Sequence, residues 1–328
     1  MKTIVTSSYA QAAGVIRQGG IAAFPTETVY GLGANALDPK AVKKIFRAKG
    51  RPSDNPLIVH VHSKSQIAQV AREITPLAQK IIDSMFPGPV SIVLKKRREI
   101  PKEVTSGLDT VCVRMPSMPI ARKFLKACGV PVAAPSANLS GKPSPTDYSH
   151  VLDDFNGRIP IILKGPKSSF GLESTVVDCT GAKPIILRSG STSSESIMEI
   201  AGIMGKQGRD AANPEKQPRA PGMKYRHYAP SGKVIIVKSP SFVPLGARNW
   251  AYIGMSRPKN SKKASLCVIA TDKREYARKL FAFFRSCDRQ GIGTAYCQEV
   301  GGTGIGRAIM ERLSKASKGG SHGATTPD

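Results

Sequence analysis

Acidic residues are scarce in this 328-residue chain: 23 Asp and Glu stand against 49 Lys and Arg, a formal net charge of +26. The imbalance favours anionic partners, such as nucleotides, pyrophosphate, tRNA or acidic surfaces. A basic surface that is simply solvated explains the same count, so charge alone does not define an RNA binder. Cysteines are few as well: Cys112, Cys128, Cys179, Cys267, Cys287 and Cys297. No two form Cys-x-x-Cys, which argues against a zinc ribbon, and no His and acid spacing suggests a zinc site. Several sit in apolar runs, as in Val111-Cys112-Val113 and Leu266-Cys267-Val268, and read as buried reduced thiols. The N-terminal stretch lacks the apolar core of a secretory signal, and no apolar run approaches transmembrane length. A cytoplasmic protein without a membrane partner is expected. Walker A spacing is missing, as is a Gly-x-Ser-x-Gly elbow, and no internal repeat is visible.

What is present is organised around residues 24–57. The apolar strand Ile21-Ala22-Ala23-Phe24 stops at Pro25, and hydroxyls and glycines follow in Thr26-Glu27-Thr28-Val29-Tyr30-Gly31-Leu32-Gly33. Asp38-Pro39 opens a helix, with aspartate at the N-cap and proline at the first helical position. Val42, Ile45 and Phe46 give it an apolar side, and Gly50 terminates it between Lys49 and Arg51. A buried strand ending in small polar groups places donors at a sheet edge, where α/β proteins commonly bind ligands. The two cations there favour phosphate or carboxylate.

The same theme returns twice. Strand 130–134 runs into Pro135-Ser136-Ala137-Asn138, and Gly171-Leu172-Glu173-Ser174-Thr175 leads into Val176-Val177. Arg114 lies among the apolar residues of strand 111–116. It is either paired with an acid or waiting for an anionic ligand. Arg188 closes another β-like run. His60, in strand 57–62, is a candidate base, although a lone strand histidine is more often structural. Together these strand ends form a candidate cleft for an anionic substrate, acting by positioning and charge stabilisation of phosphates.

Helices are expected near residues 8–18, 64–72, 75–85, 119–128 and 194–203. Thr105-Ser106-Gly107 reads as a turn. Length alone suggests two domains. Residues 205–221 are rich in Gly, Pro, Asn and charge and read as a linker. The linker ends in Tyr225-Arg226-His227-Tyr228, more aromatic than a spacer needs. Those rings either cover a ligand or pack a tether against one domain. The remainder restarts as α/β, with strands at 234–237, 250–253 and 266–270 and a long amphipathic helix at 273–290. Gly301-Gly302-Thr303-Gly304-Ile305-Gly306 reads as a helix-entry loop, because no fingerprint acid or Walker lysine accompanies it. The tail after Lys315 reads as disordered.

These ordered segments, with Lys49-Gly50-Arg51, Asn55-Pro56-Leu57, Val113-Arg114-Met115-Pro116 and Ala220-Pro221-Gly222-Met223-Lys224-Tyr225, resemble the threonylcarbamoyl-AMP synthase family in its longer form. The resemblance covers nearly the whole chain and is loosest toward the C-terminus. It implies a twisted mixed α/β sheet with a basic cleft, the YrdC-like catalytic domain, over residues 1–204. A linker at 205–231 that folds over the active site, a smaller Rossmann-like α/β domain at 232–318 and a flexible tail at 319–328 would follow. It implies formation of threonylcarbamoyl-adenylate and pyrophosphate from L-threonine, bicarbonate and ATP, with Mg2+ accompanying ATP. The product would pass to a separate threonylcarbamoyl transferase machinery for t6A modification of tRNA beside the anticodon.

Carried onto this sequence, Lys49 and Arg51 are the catalytic cations. Arg51, Asn55, Ser136, Asn138, Ser144, Arg188, Tyr225 and Tyr228 match nucleotide positions, and Thr28, His60, Arg114, Ser174 and Thr175 match the threonine side. Direct tRNA contact is allowed but not required. Two rivals stand beside this reading. One is a non-catalytic RNA-binding or regulatory protein that uses the same basic cleft. The other is a carbamoyltransferase of the hydrogenase-maturation type, disfavoured by the lack of a zinc-type cysteine pattern.

Overall fold

The computed structural model describes residues 2–203 and 228–317. Among them the chain divides into two compact units, one built from residues 2–140 and 144–203, the other from 141–143 and 228–317.

The first unit runs β1 (Ile4–Thr6), α1 (Tyr9–Arg17), β2 (Ala22–Phe24), β3 (Gly31–Asn35), α2 (Pro39–Lys49), β4 (Ile58–His60), α3 (Pro76–Met85), β5 (Val90–Lys95), α4 (Lys102–Thr105), β6 (Thr110–Arg114), α5 (Pro119–Cys128), β7 (Val132–Ala134), α6 (Tyr148–Phe155), β8 (Ile161–Leu163), β9 (Thr175–Asp178), β10 (Ile185–Arg188) and α7 (Ser194–Ile200). Its strands form one sheet in the order β1-β8-β2-β3-β7-β4-β6-β5-β9-β10. The pairing is mixed: β4 runs parallel to β6 and antiparallel to β7, and β5 runs antiparallel to β6 and parallel to β9.

Period-two alternation splits each strand between two apolar layers. Ala23, Ala133 and Ile162 enter the larger core with α2, α3 and α6. Their neighbours Ala22, Phe24, Val132, Ala134, Ile161 and Leu163 join α1 and α5 on the opposite face. Burial on both faces is why these strands read as unbroken apolar runs.

The helix ends obey local chemistry. Ser8 caps α1 by accepting from the Gln11 amide at 3.3 Å, and Asp38 caps α2 by accepting from the Lys40 amide at 2.8 Å. Pro39 sits in the first turn of α2, and Gly50 ends the helix in the left-handed region at φ 60°. Lys49 is therefore the last helical residue rather than part of the turn.

The second unit runs β11 (Lys233–Val237), β12 (Trp250–Gly254), β13 (Leu266–Ile269), α8 (Lys273–Arg289), β14 (Thr294–Gln298) and α9 (Ile305–Ser317). Its four strands are all parallel, in the order β11-β14-β12-β13. A parallel sheet joined by crossovers is the Rossmann-like arrangement expected for this part of the chain. Trp250, Tyr252 and Tyr296 pack in its core with Val237 and Val243.

Candidate active site

Strand register collects the polar residues on one face of the first sheet. Ile58 pairs with Cys112 and His60 with Arg114 across β4 and β6; Val93 pairs with Cys112 across β5 and β6, and Ser91 with Val176 across β5 and β9. Side chains at paired positions share a face. Ile58, Val93, Cys112 and Val176 form a small apolar cluster there. His60, Arg114 and Ser91 stand on the same face one pleat further along.

Arg114 anchors the first polar group. Its Nη2 donates to Glu27 Oε1 at 2.7 Å, its Nη1 to Thr28 Oγ1 at 2.7 Å and its Nε to the Gly88 carbonyl at 3.3 Å. Arg114 is 3% exposed and Glu27 4%. Burial pushes the Glu27 carboxyl up, but the charge and hydrogen bond of Arg114, helped by backbone donors, outweigh it and hold the carboxyl below its usual value. Of the two expectations for Arg114, pairing with an acid is the one realised, and Glu27 is a site residue that sequence reasoning missed. A buried arginine at a strand end calls for an acid, and Thr26-Glu27-Thr28 was the motif at hand. Thr28 Oγ1 also lies 2.9 Å from Thr26 Oγ1, which donates to the Val29 carbonyl at 2.6 Å.

His60 is buried beside this pair, its ring edge-on to Phe24 at 5.5 Å. Burial first, then the charge of Arg114, lowers its pKa from 6.5 to about 3. The ring is therefore neutral at physiological pH.

The second group is built on Lys49. Its Nζ donates to the Ser136 carbonyl at 2.6 Å and to the Asn138 carbonyl, and the Ser140 amide donates back to the Lys49 carbonyl at 3.1 Å. Ser136 Oγ donates to Asn138 Oδ1 at 2.5 Å. The helix end and the loop after β7 thus clamp each other. Arg51, half-exposed, donates Nη2 to the Asn55 and Pro56 carbonyls at 3.1 and 3.3 Å. Asn55 is 1% exposed, yet neither atom of its carboxamide has a hydrogen-bond partner. A buried amide without a partner is costly.

The third group joins Ser174, Arg188 and Ser91. Ser91 Oγ and Ser174 Oγ lie 2.8 Å apart, and Arg188 Nη2 reaches the Ser174 carbonyl at 2.8 Å and its hydroxyl at 3.1 Å. Gly190 permits this packing: a Cβ there would meet the Ser174 carbonyl carbon and the Thr175 nitrogen at 2.4 Å. Ser91 and Gly190 carried no sequence signal of their own. Thr175 Oγ1 donates to the Thr192 carbonyl at 2.6 Å, and Ser144 Oγ donates to Glu173 Oε1 at 2.5 Å. Both hydroxyls are thus held by protein acceptors.

Lys49, Arg114 and Arg188 are buried against protein acceptors. Tyr228, expected at the nucleotide, stacks on Phe281 at 5.4 Å with the Arg312 guanidinium 5.4 Å from its ring centre. Tyr225 and most of the expected linker lie outside the described residues.

The first unit is thus a mixed α/β scaffold with buried cations at the ends of two strands (Arg114, Arg188) and one helix (Lys49), each bonded to protein oxygens alongside hydroxyls and carboxamides. Comparison with known proteins defines it further. The family described as telomere recombination matches residues 14–190, and that of the threonylcarbamoyl-AMP synthase C-terminal domain matches residues 192–318. The threonylcarbamoyl-AMP synthase of Pyrococcus abyssi is 43% identical over 315 residues, covering 93% of each chain. That of Bacillus subtilis is 39% identical over 322 residues, covering 94% of this chain and 93% of its own. The crystal structure of P. abyssi Sua5 complexed with L-threonine has a TM-score of 0.86 at 41% identity, covering 97% of this chain and 98% of that one. Escherichia coli YciO is similar to the first part alone, with a TM-score of 0.50 at 26% identity over 58% of this chain. The chain belongs to the threonylcarbamoyl-AMP synthase family.

Proposed function

We propose that the chain makes threonylcarbamoyl-adenylate from L-threonine, bicarbonate and ATP, acting as a nucleotidyltransferase. The strongest support is its full-length likeness to a structure that holds L-threonine. The chemistry fits the groups at hand. The threonine amine adds to the carbon of bicarbonate with loss of water, giving a carbamate. A carbamate oxygen then attacks the α-phosphorus of ATP, the bond to the β-phosphate oxygen breaks, and pyrophosphate leaves.

In this reading Thr28, Ser174 and Thr175 hold threonine, with Arg114 fixed by Glu27 and presenting positive charge to the carboxylate. His60 stays neutral and shapes the pocket wall. Lys49 holds the 136–138 loop in place, and Arg51 and Arg188 face the charge that moves onto pyrophosphate. Asn55, Ser136, Asn138 and Ser144 contact the nucleotide. Mg2+ enters with ATP, held by phosphate oxygens and water; among the described residues no cluster of His, Cys, Asp and Glu forms a protein cage for it.

The first unit is catalytic, and Tyr225 lies in the segment proposed to fold over the site. The product passes to a threonylcarbamoyl transferase that completes t6A. Helix α2 exposes Lys40, Lys43, Lys44 and Arg47 and carries no acid, which supports direct contact with tRNA through phosphates. No helix among the described residues is long and apolar enough to cross a membrane, and the proposed location is the cytoplasm.

The test is pyrophosphate release with each of the three substrates omitted in turn. Release that needs all three is expected. Release from ATP alone, or none from folded protein, contradicts the proposal.

A further inference from the structure

Among the described residues of the first unit, Asn55 and Thr105 are buried polar side chains without a hydrogen-bond partner, and two hydrogen bonds tie the segments that carry them. Asn55 and Thr105 are each 1% exposed. Both carboxamide atoms of Asn55 and the hydroxyl of Thr105 lack any hydrogen bond. On one side of them Ser106 Oγ donates to the Ser53 carbonyl at 2.9 Å. On the other the Leu57 amide donates to the Val104 carbonyl at 2.8 Å. These ties flank the pair, so Asn55 in the loop after α2 lies across from Thr105 at the end of α4. The two side chains are not bonded to each other, and Thr105 does not use the local carbonyl that a helical threonine commonly takes.

Three orphaned atoms on two buried, tied segments ask for an occupant that could serve both. Because donor and acceptor of Asn55 are both unused, the requirement holds whichever way round the carboxamide is placed. The occupant has to donate as well as accept. A triphosphate or pyrophosphate group offers acceptors only at neutral pH. The edge of adenine, with an amine beside a ring nitrogen, offers both, as does a ribose hydroxyl; asparagine against an adenine edge is a recurring pair.

We propose that Thr105 joins Asn55 in binding the nucleoside end of ATP, so that this pair, rather than the cations, recognises adenosine. The proposal rests on the reading of the chain as an ATP-using enzyme.

The test is calorimetric titration of the full chain and of its Thr105→Val and Thr105→Ser variants with ATP, AMP and pyrophosphate, together with the melting temperature of each without ligand. Thr105→Val is expected to bind ATP and AMP about tenfold more weakly, with pyrophosphate affinity unchanged. Thr105→Ser restores nucleotide affinity. Without ligand, Thr105→Val melts no lower than wild type, because the hydroxyl it removes has no protein partner. An unchanged AMP affinity in Thr105→Val, an equal loss for pyrophosphate, or a lower ligand-free melting temperature each overturns the proposal. The last outcome would assign the hydroxyl to an internal water. Failure of Thr105→Ser to recover overturns it too. Wild-type protein that binds neither ATP nor AMP defeats the enzyme reading and this proposal together. Wild-type binding beside an unaffected Thr105→Val defeats this proposal alone.

Discussion

Replacing Glu27 by Gln removes a charge and almost no volume, so it isolates the electrostatic part of the Arg114 constellation. The ion pair is 2.7 Å long and its side chains are 5% and 4% exposed. In the variant Arg114 keeps its bonds to Thr28 and Gly88 but loses its counter-charge in a site that excludes water. Stranding one member of a buried pair costs about 3–5 kcal/mol. The amide oxygen of Gln still accepts one hydrogen bond, which returns about 1 kcal/mol. A net loss of about 2–4 kcal/mol follows, and for a unit of this size each kcal/mol lowers the melting temperature by about 2–4 °C.

Calorimetry of the ligand-free chain is the assay, with L-threonine added in a second scan. A drop of about 4–16 °C is expected. L-threonine should then stabilise Glu27→Gln more than wild type, because its carboxylate supplies the missing negative charge. Replacing both partners by Met should recover most of the loss, since no charge is then left unpaired. A Glu27→Gln variant that melts with the wild type refutes the reasoning, because it would mean that Arg114 is solvated or neutralised by another group.

Three further outcomes are expected. Arg51→Ala should keep its fold, because Arg51 is half-exposed, while pyrophosphate release falls about a hundredfold; normal turnover in the folded variant removes Arg51 from the chemistry. His60 has a folded pKa of about 3 against 6.5. The unfolded chain therefore takes up a proton that the folded chain refuses, and stability falls as pH drops from 6.5 toward 3, by up to about 1.4 kcal/mol per unit from this group. His60→Gln should flatten the acid limb of a urea-midpoint profile, and parallel limbs would contradict the assignment. Gly190→Ala should cost about 1–3 kcal/mol by forcing the Ser174 backbone away and should weaken threonine binding; wild-type stability and affinity would show that the loop yields without strain.

The strand ends were legible because their signals are local. Asp38-Pro39 and Gly50 bound α2 in sequence as in space, and the 119–128 helix was read from its own periodicity. Other elements were hidden. Strand β3 is built from Gly31-Leu32-Gly33-Ala34-Asn35, whose glycines read as loop; they are packed against the Phe24 ring, which a Cβ at Gly31 or Gly33 would approach within about 3.1 Å. Strands β1 and β8 are three residues long, too short for a period to show. Helix α4, four residues long, carried no signal, whereas the Thr105-Ser106-Gly107 turn that ends it was legible.

Within the site, residue types were legible but partnerships were not. Arg114 announced the need for an acid without saying that Glu27, 87 residues away, would meet it. Lys49 read as a cation for phosphate or carboxylate, and only the fold brings it under the carbonyls of Ser136 and Asn138. The unpartnered state of Asn55 and Thr105 is a property of the packed chain, invisible until every neighbour is placed.

The central claim is that one chain joins bicarbonate carbon, threonine and the AMP part of ATP. The most direct test is mass detection of the product formed with isotopically labelled bicarbonate. A threonylcarbamoyl-adenylate that carries the label, and that vanishes when threonine is left out, is the expected result. An unlabelled adenylate, or labelled carbamate that never acquires AMP, would contradict it.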